Sequence, residues 1–221
     1  MNDSCCGVIL AGGLARRMGG QPKHQLTLAG KPLLEHVVER AQPQVDQLLL
    51  NFNPPIPNDI ANGHLDLPII EDSLAGHLGP LAGIVSAMQW MQQNSDHQWL
   101  ASFAVDTPLF PKELVASLRH SAQLENNSSS NQPSQLVCPT YDGYKQPTFC
   151  LWHINQCDAL RRWLVQEKNY RMGAWLKHQH ASYCDLSPTT NSTEKIDPFT
   201  NINTPEDLAQ VERFLTTHKQ L

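Results

Sequence analysis

The sequence is poor in charge: 17% of its 221 residues are Asp, Glu, Lys or Arg, and the net charge is −5. A protein that binds nucleic acid through the phosphates usually has a basic surface, so we expect no nucleic-acid partner. Long apolar runs are also missing, and none comes near the ~20 residues that a membrane-spanning helix needs. The composition therefore predicts a globular protein that binds neither nucleic acid nor membrane.

The six cysteines do not form a C-x-x-C pair, so the usual spacing of a zinc site or a redox dithiol is missing. The first residues, MNDSCCG, contain an acidic residue and no basic stretch, unlike a secretory signal peptide. We therefore predict a cytoplasmic protein whose cysteines are thiols.

Three common catalytic signatures are missing as well. The chain contains no G-x-x-x-x-G-K-[ST], no G-x-G-x-x-G and no G-x-S-x-G. A P-loop hydrolase, a dinucleotide-binding domain and an esterase are therefore not supported.

Strand and helix patterns alternate along the first half of the chain. Short apolar runs predict strands at residues 8–11, 47–53, 67–72 and 99–106, and apolar residues at helical spacing predict helices that begin near Pro32, Pro80 and Pro111. This alternation predicts an α/β fold: a single domain with a mostly parallel sheet and helices on both faces.

The second half is less regular. We predict a polar loop at residues 124–135, a pair of strands at 135–142 and 146–152, and helices near 154–167 and 172–180. A last helix is predicted to begin at Pro205, with Thr204 as its cap and acidic residues in its first turn.

The stretch GVILAGGLARRMGGQPK joins the first strand to glycines and basic residues. Gly12 and Gly13 allow a tight turn that brings backbone N–H groups close to an anion, and Arg16, Arg17 and Lys23 could neutralise a triphosphate. The pattern favours a phosphate-binding loop. The alternative is a plain glycine turn with a solvated basic face.

Asp106 follows the apolar run that forms the fourth predicted strand. Ligands of open parallel sheets bind beyond the carboxyl ends of the strands, and Mg²⁺ there takes one or two carboxylates. Asp106 is therefore a candidate metal ligand. The alternative is an ordinary turn residue before Thr107 and Pro108.

The motif LAGGLARRMGGQPK resembles the nucleotidyltransferase signature L-A-G-G-x-x-x-R-M-G-x-x-K. The paired arginines and the following LTLAGKPLLEHV are similar to the molybdenum cofactor guanylyltransferases, the MobA-like proteins. NFN, IEDSLAGHLGPLAGI, VDTPLF and FTNINTPEDL follow in that family's order, so the resemblance extends from residue 7 to about residue 211. One departure is Pro22, where family members usually carry Asp.

The resemblance implies a Rossmann-like fold of the nucleotide-diphospho-sugar transferase type. It also implies transfer of GMP from GTP to molybdenum-bound molybdopterin, which forms molybdopterin guanine dinucleotide and pyrophosphate. Arg17, Lys23 and Asp106 would be catalytic, with Mg²⁺ on Asp106. The residues implied to bind the nucleotide are Leu10, Ala11, Gly12, Gly13, Lys23, Asn51, Asp72, Gly79, Gly83 and Asp106.

The acceptor side is implied to include Arg171, Asn201 and Asn203. From the residues alone, an exposed arginine at a helix start and helix-capping asparagines would look the same. We predict one domain over residues 1–221, with a nucleotide-binding half at about 1–123 and an acceptor-binding half at about 136–221. Transient contacts with other proteins of molybdenum cofactor synthesis and with recipient apoenzymes are also expected.

Two alternatives stay open from the sequence. One is a related nucleotidyltransferase that uses CTP or another phosphate acceptor, since the glycine loop does not by itself select the base. The other is a non-catalytic nucleotide-binding module that delivers the cofactor, which Pro22 would favour.

Overall fold

A computed structural model describes residues 4–12, 23–57, 60, 65–76, 78–127, 134–188 and 196–218. Gly13, Arg16, Arg17 and Pro22 therefore lie outside the described residues. The remaining predicted site residues all lie within them.

Eight of the ten described strands assemble into one large sheet. In chain order they are β1 (Cys5–Leu10), β2 (Thr27–Leu28), β3 (Lys31–Pro32), β4 (Gln47–Asn51), β5 (Ile69–Ile70), β6 (Trp99–Ala104), β7 (Leu136–Tyr141), β8 (Tyr144–Lys145), β9 (Leu151–His153) and β10 (Ser182–Asp185). An eight-stranded sheet has the order β10-β7-β9-β6-β1-β4-β5, with β8 paired to β7, while β2 and β3 form a separate ribbon. Strand β1 is parallel to both its neighbours, whereas β9 is antiparallel to β6 and β7. The predicted mostly parallel sheet is confirmed.

Helices cover both faces of the sheet, as predicted. They are α1 (Leu33–Ala41), α2 (Pro80–Asn94), α3 (Leu114–Asn127), α4 (Cys157–Arg162), α5 (Met172–His178) and α6 (Pro205–His218). Successive side chains of β1 point to opposite faces. Ile9 belongs to the core cluster that contains residues of α1 and α3, and Val8 to the cluster that contains residues of α2, α4 and α5. A smaller cluster packs α6 against Leu28 and Ile202.

Several predicted boundaries are wrong. The polar loop was placed at 124–135, but α3 continues to Asn127, because Leu and Glu prolong a helix well. The third predicted strand is only Ile69–Ile70, because this end strand pairs with just Leu50 and Asn51 of β4. The bounds of the helix predicted near 154–167 are confirmed, although it begins as the 3₁₀ turn Ile154–Gln156 and ends as the π-helical turn Trp163–Glu167.

All six cysteines are thiols, as predicted. Burial raises the pKa of both Cys5 and Cys6 to about 12. Among the described helices, none is long and apolar enough to cross a membrane.

Candidate active site

A cavity of about 320 Å³ opens where β1, β4 and β6 end at the same edge of the sheet. This is the edge at which open parallel sheets bind ligands. Its lining residues are Leu10, Gly12, Lys23, Asn51, Asn53, Asp72, Gly79, Pro80, Ala104, Val105, Asp106 and Thr148. Seven of the ten residues predicted to bind the nucleotide are in this group, so the structure brings most of them together.

A larger cavity of about 810 Å³ lies between α1 and the start of α3. Several of its polar side chains are engaged within the chain: Lys31 pairs with Glu39 at 2.6 Å, and Arg40 donates to the Pro108 carbonyl at 3.0 Å. It holds none of the predicted site residues. We therefore place the active site at the carboxyl edge of the sheet.

Lys23 forms one end of this site. It begins a 3₁₀ turn, Lys23–Gln25, and its Nζ donates to Asp106 Oδ2 at 2.6 Å and to Asn203 Oδ1 at 2.5 Å. Asp106 lies just beyond the end of β6. About 20% of each side chain of the Lys23–Asp106 pair is exposed, so the charges are accessible from the cavity. The end of the site thus holds one cation and one carboxylate in direct contact.

The segment before α6 is tied to this pair. Thr107 donates its hydroxyl to Asn201 Oδ1, and the Ile202 N–H donates to the Asp106 carbonyl at 2.7 Å. Asp207 Oδ2 accepts from the N–H groups of Asn203 and Thr204, both at 2.9 Å. The bond from the Asn203 N–H is the main reason why the pKa of Asp207 lies below its ordinary value of 3.8. The capped start of α6 therefore holds Asn203 beside Lys23, while Thr107 holds Asn201.

The other end of the cavity is built around the carboxylate of Asp72. Asn51 Nδ2 donates to its Oδ1 at 3.0 Å, and Asn53 Nδ2 donates to its Oδ2 at 2.7 Å. The Asp72 N–H in turn donates to Asn53 Oδ1 at 2.9 Å. Asn51 and Asp72 were predicted here from the family resemblance, whereas Asn53 was not. The repeated asparagine in NFN was the available signal.

Three other predicted residues contribute in different ways. Gly79 lines the cavity at the start of α2 with φ of +76°, a conformation that glycine adopts readily. Gly83 and Ala11 are not lining residues. A Cβ on Gly83 would overlap the Asn51 side chain, lying 2.8 Å from its Cγ, and the Ala11 N–H donates to the Asn51 carbonyl. Gly83 therefore packs against the Asn51 side chain and Ala11 bonds its backbone, so both contact Asn51 without lining the cavity.

Arg171 is exposed at the start of α5 and is not among the residues that line the cavity. Its predicted contact with the acceptor stays a prediction. The same holds for the nucleotide contacts of Gly13 and Arg17, which lie outside the described residues.

The carboxylate oxygens of Asp106 suit a metal ion whose remaining ligands are phosphate oxygens and water. In the described parts of the chain, no three His, Cys, Asp or Glu side chains are grouped to hold a metal by themselves. Mg²⁺ binds through one or two carboxylates and completes its shell with phosphate oxygens and water. Asp106, accessible from the cavity and beside Lys23, meets that requirement for a magnesium–triphosphate ligand.

Known proteins resemble this chain over most of its length. The family model described as the MobA-like NTP transferase domain matches residues 7–182. The chain is 38% identical over 208 residues to a molybdenum cofactor guanylyltransferase of Nitrobacter hamburgensis, covering 94% of this chain and 92% of that protein. It is 37% identical over 202 residues to the enzyme of the same name from Pasteurella multocida, covering 91% and 95%.

A solved structure shares the fold. It is the crystal structure of molybdopterin-guanine dinucleotide biosynthesis protein A from Archaeoglobus fulgidus, which matches with a TM-score of 0.71 at 23% identity. The match covers 96% of this chain and 99% of that chain. The Rossmann-like architecture expected from the sequence is thereby confirmed.

Proposed function

Because the chain belongs to the MobA-like NTP transferase family, we propose that it transfers GMP from GTP to molybdenum-bound molybdopterin. The products are molybdopterin guanine dinucleotide and pyrophosphate. One observation carries the proposal: a single cavity has an amide–carboxylate group at one end and the Lys23–Asp106 pair at the other.

The spacing of these two groups suits a nucleotide. Asn51 ends β4 and Asp106 follows β6, with β1 between the two strands. Neighbouring strands lie about 4.8 Å apart, so the two groups are separated by roughly 10 Å. A nucleoside triphosphate that lies across the strand ends would place its base at Asn51 and Asp72 and its phosphates at Lys23 and Asp106.

The reaction requires no nucleophile from the protein. An oxygen of the acceptor phosphate attacks the α-phosphorus of GTP, the bond from the α-phosphorus to the bridging oxygen breaks, and pyrophosphate leaves. The chain contributes by positioning both phosphates and neutralising their charge. The Lys23 ammonium would donate to phosphate oxygens in place of the Asp106 carboxylate. Arg17 is predicted to add a second positive charge. Asp106 would hold Mg²⁺, which supplies further charge neutralisation when bound.

The acceptor would approach from the side of α6. Asn201 and Asn203 lie there, held against Thr107 and Lys23. Arg171 is proposed to face the acceptor phosphate. Contacts with other proteins of molybdenum cofactor synthesis and a cytoplasmic location stay predictions of the sequence.

A pyrophosphate-release assay tests the proposal. The purified protein is mixed with Mg²⁺, molybdopterin and GTP, CTP or ATP in separate reactions. We expect release with GTP that depends on molybdopterin. Release with CTP at an equal rate would favour the related nucleotidyltransferase, and GTP binding without release would favour the delivery module.

Asp106→Asn tests the role of the carboxylate. The change keeps the shape of the side chain but removes the charge that would hold Mg²⁺ and face Lys23. We expect kcat to fall by about 100-fold or more, the usual cost of losing one electrostatic group in an active site. Asp158→Asn, at an exposed carboxylate in α4, is the matched control. Turnover within a few-fold of wild type would contradict the assignment.

A further inference from the structure

Asn53 makes two hydrogen bonds to a single residue. Its amide N–H₂ donates to Asp72 Oδ2 at 2.7 Å, and its amide oxygen accepts from the Asp72 N–H at 2.9 Å. The two residues thus form a closed pair, and Asn51 holds the other carboxylate oxygen at 3.0 Å. A carboxylate held at both oxygens and at its own backbone has a fixed orientation.

The cluster also depends on a residue from the glycine loop. A Cβ on Gly12 would lie 3.3 Å from Asn53 Nδ2, closer than side chains normally pack. Gly12 therefore leaves the room that the Asn53 amide needs beside Asp72. Both Gly12 and Asn53 line the cavity, so the pair is formed at the site itself.

We propose that Asn53 is a positioning residue for base selection, acting through the Asp72 carboxylate; this inference rests on the proposed function. Each Asp72 oxygen accepts one amide bond and keeps a second lone pair. The fixed carboxylate therefore offers two adjacent acceptors to a base.

Guanine is the base that matches two adjacent acceptors. Its N1–H and its exocyclic N2–H₂ are neighbouring donors, so both can reach one carboxylate. Cytosine and adenine each present one amino group beside a ring nitrogen that is itself an acceptor. That nitrogen would face a carboxylate oxygen without a proton between them, which is unfavourable. Asn53 keeps this discrimination by preventing Asp72 from turning one oxygen away.

The test compares GTP with inosine triphosphate, which has the N1–H but lacks the exocyclic amine. Dissociation constants are measured by calorimetry for wild type and Asn53→Ala, without acceptor. We expect wild type to prefer GTP about tenfold or more, since one hydrogen bond to a charged group is lost with inosine triphosphate. In Asn53→Ala the preference should fall to within about twofold, because Asp72 no longer offers both oxygens together.

Asn53→Asp provides a second variant of nearly the same shape. It keeps the oxygen that accepts from the Asp72 N–H but replaces the donor with a second carboxylate, so it should also lose the preference for GTP. In steady-state assays both variants should raise KM for GTP while leaving kcat near the wild-type value. Asn94→Ala is the control, since Asn94 is exposed at the end of α2 and its amide donates to the Trp90 carbonyl of the same helix.

The outcomes separate the two proposals. A wild-type preference for GTP that persists unchanged in both Asn53 variants would overturn the role of Asn53 alone. A wild-type protein that binds CTP as tightly as GTP would overturn the proposed function. Equal weakening of GTP and inosine triphosphate in the variants would indicate a merely structural role and would also overturn the inference.

Discussion

At the scale of single residues, Lys23 shows how one side chain assembles the site. Its ammonium group joins its own 3₁₀ turn to Asp106 after β6 and to Asn203 before α6. The pair with Asp106 is partly exposed, so its charges stay within reach of solvent and ligand. The same contact that orders the site is therefore suited to receiving phosphates.

Gly83 gives a residue-scale prediction. A Cβ there would overlap the Asn51 amide and lie 2.9 Å from Leu10 Cδ2, so Gly83→Ala must displace one of them. We expect a loss of about 1–3 kcal/mol in the free energy of unfolding, as for other overpacked cores. GTP affinity should fall as well, because Asn51 holds Asp72. Urea unfolding and calorimetry measure the two effects.

Gly173→Ala is the matched control for this prediction. Gly173 lies in α5 with nothing within 4 Å of its position for a Cβ. Alanine there should stabilise the protein by up to about 1 kcal/mol through its helix propensity, with GTP affinity unchanged. If the two alanine variants behaved alike, the close approach of α2 to Asn51 would not matter for binding.

The residues of the site could be predicted only in part. Lys23, Asn51, Asp72 and Asp106 were placed at one site by their motifs, and the structure brings them together. The contact of Asn53 with the Asp72 carboxylate could not be predicted. Asp72 lies 19 positions away, and their contact depends on how β4 and β5 pair, which the sequence pattern does not specify.

At the scale of elements, α6 combines capping with site formation. Thr204 accepts from the Asp207 N–H at 3.2 Å, while Asp207 accepts from the N–H groups of Thr204 and Asn203. This reciprocal arrangement is a capping box. The sequence predicted Thr204 as the cap and Pro205 as the first residue of the helix. It did not predict the bond from the Asn203 N–H to Asp207. Helix start and active site are therefore coupled through one carboxylate.

Asp207→Asn tests this coupling through its pH dependence. The pKa of Asp207 is lowered from 3.8 in the folded protein, so its stabilisation is present above that value and is lost as the pH falls through the folded pKa. We expect the variant to be less stable at pH 7 by about 1 kcal/mol, the usual cost of a lost cap. The difference from wild type should shrink towards pH 3. Urea unfolding at both pH values measures it.

Glu206→Gln is the control for Asp207, since Glu206 is an exposed carboxylate in the same turn of α6. Its stability difference from wild type should be small at both pH values. A constant deficit of Asp207→Asn from pH 7 to pH 3 would show that the ionised carboxylate is not what stabilises the cap.

At the scale of the whole molecule, the two predicted halves share one sheet. Strand β6 comes from residues assigned to the nucleotide-binding half and pairs with β9 from the acceptor-binding half. Lys23 and Asp106 from the first half meet Asn203 from the second. The alternation of strands and helices predicted this layered fold, but not the order in which β9 and β7 join the sheet, because that order depends on long-range pairing. Nucleotide and acceptor contacts are therefore built on one framework.

A thiol-labelling experiment tests whether GTP binding stabilises this whole framework. Cys5 and Cys6 lie in β1 near the middle of the sheet, are nearly inaccessible and have a pKa of about 12 because of burial. They should therefore react only when the sheet opens. GTP at 100 times its dissociation constant stabilises the folded state by about 2.7 kcal/mol, which should slow labelling of both thiols about 100-fold. Mass spectrometry follows each site, at reagent concentrations where the labelling rate is proportional to the reagent concentration.

Cys184 is the control for this prediction. It is half-buried in β10, at the opposite end of the sheet order from β5, and should label through local opening at a rate that GTP barely changes. If Cys5 and Cys184 were slowed equally, opening would not be local at β10, and if neither were slowed by GTP, the nucleotide would not bind the folded sheet.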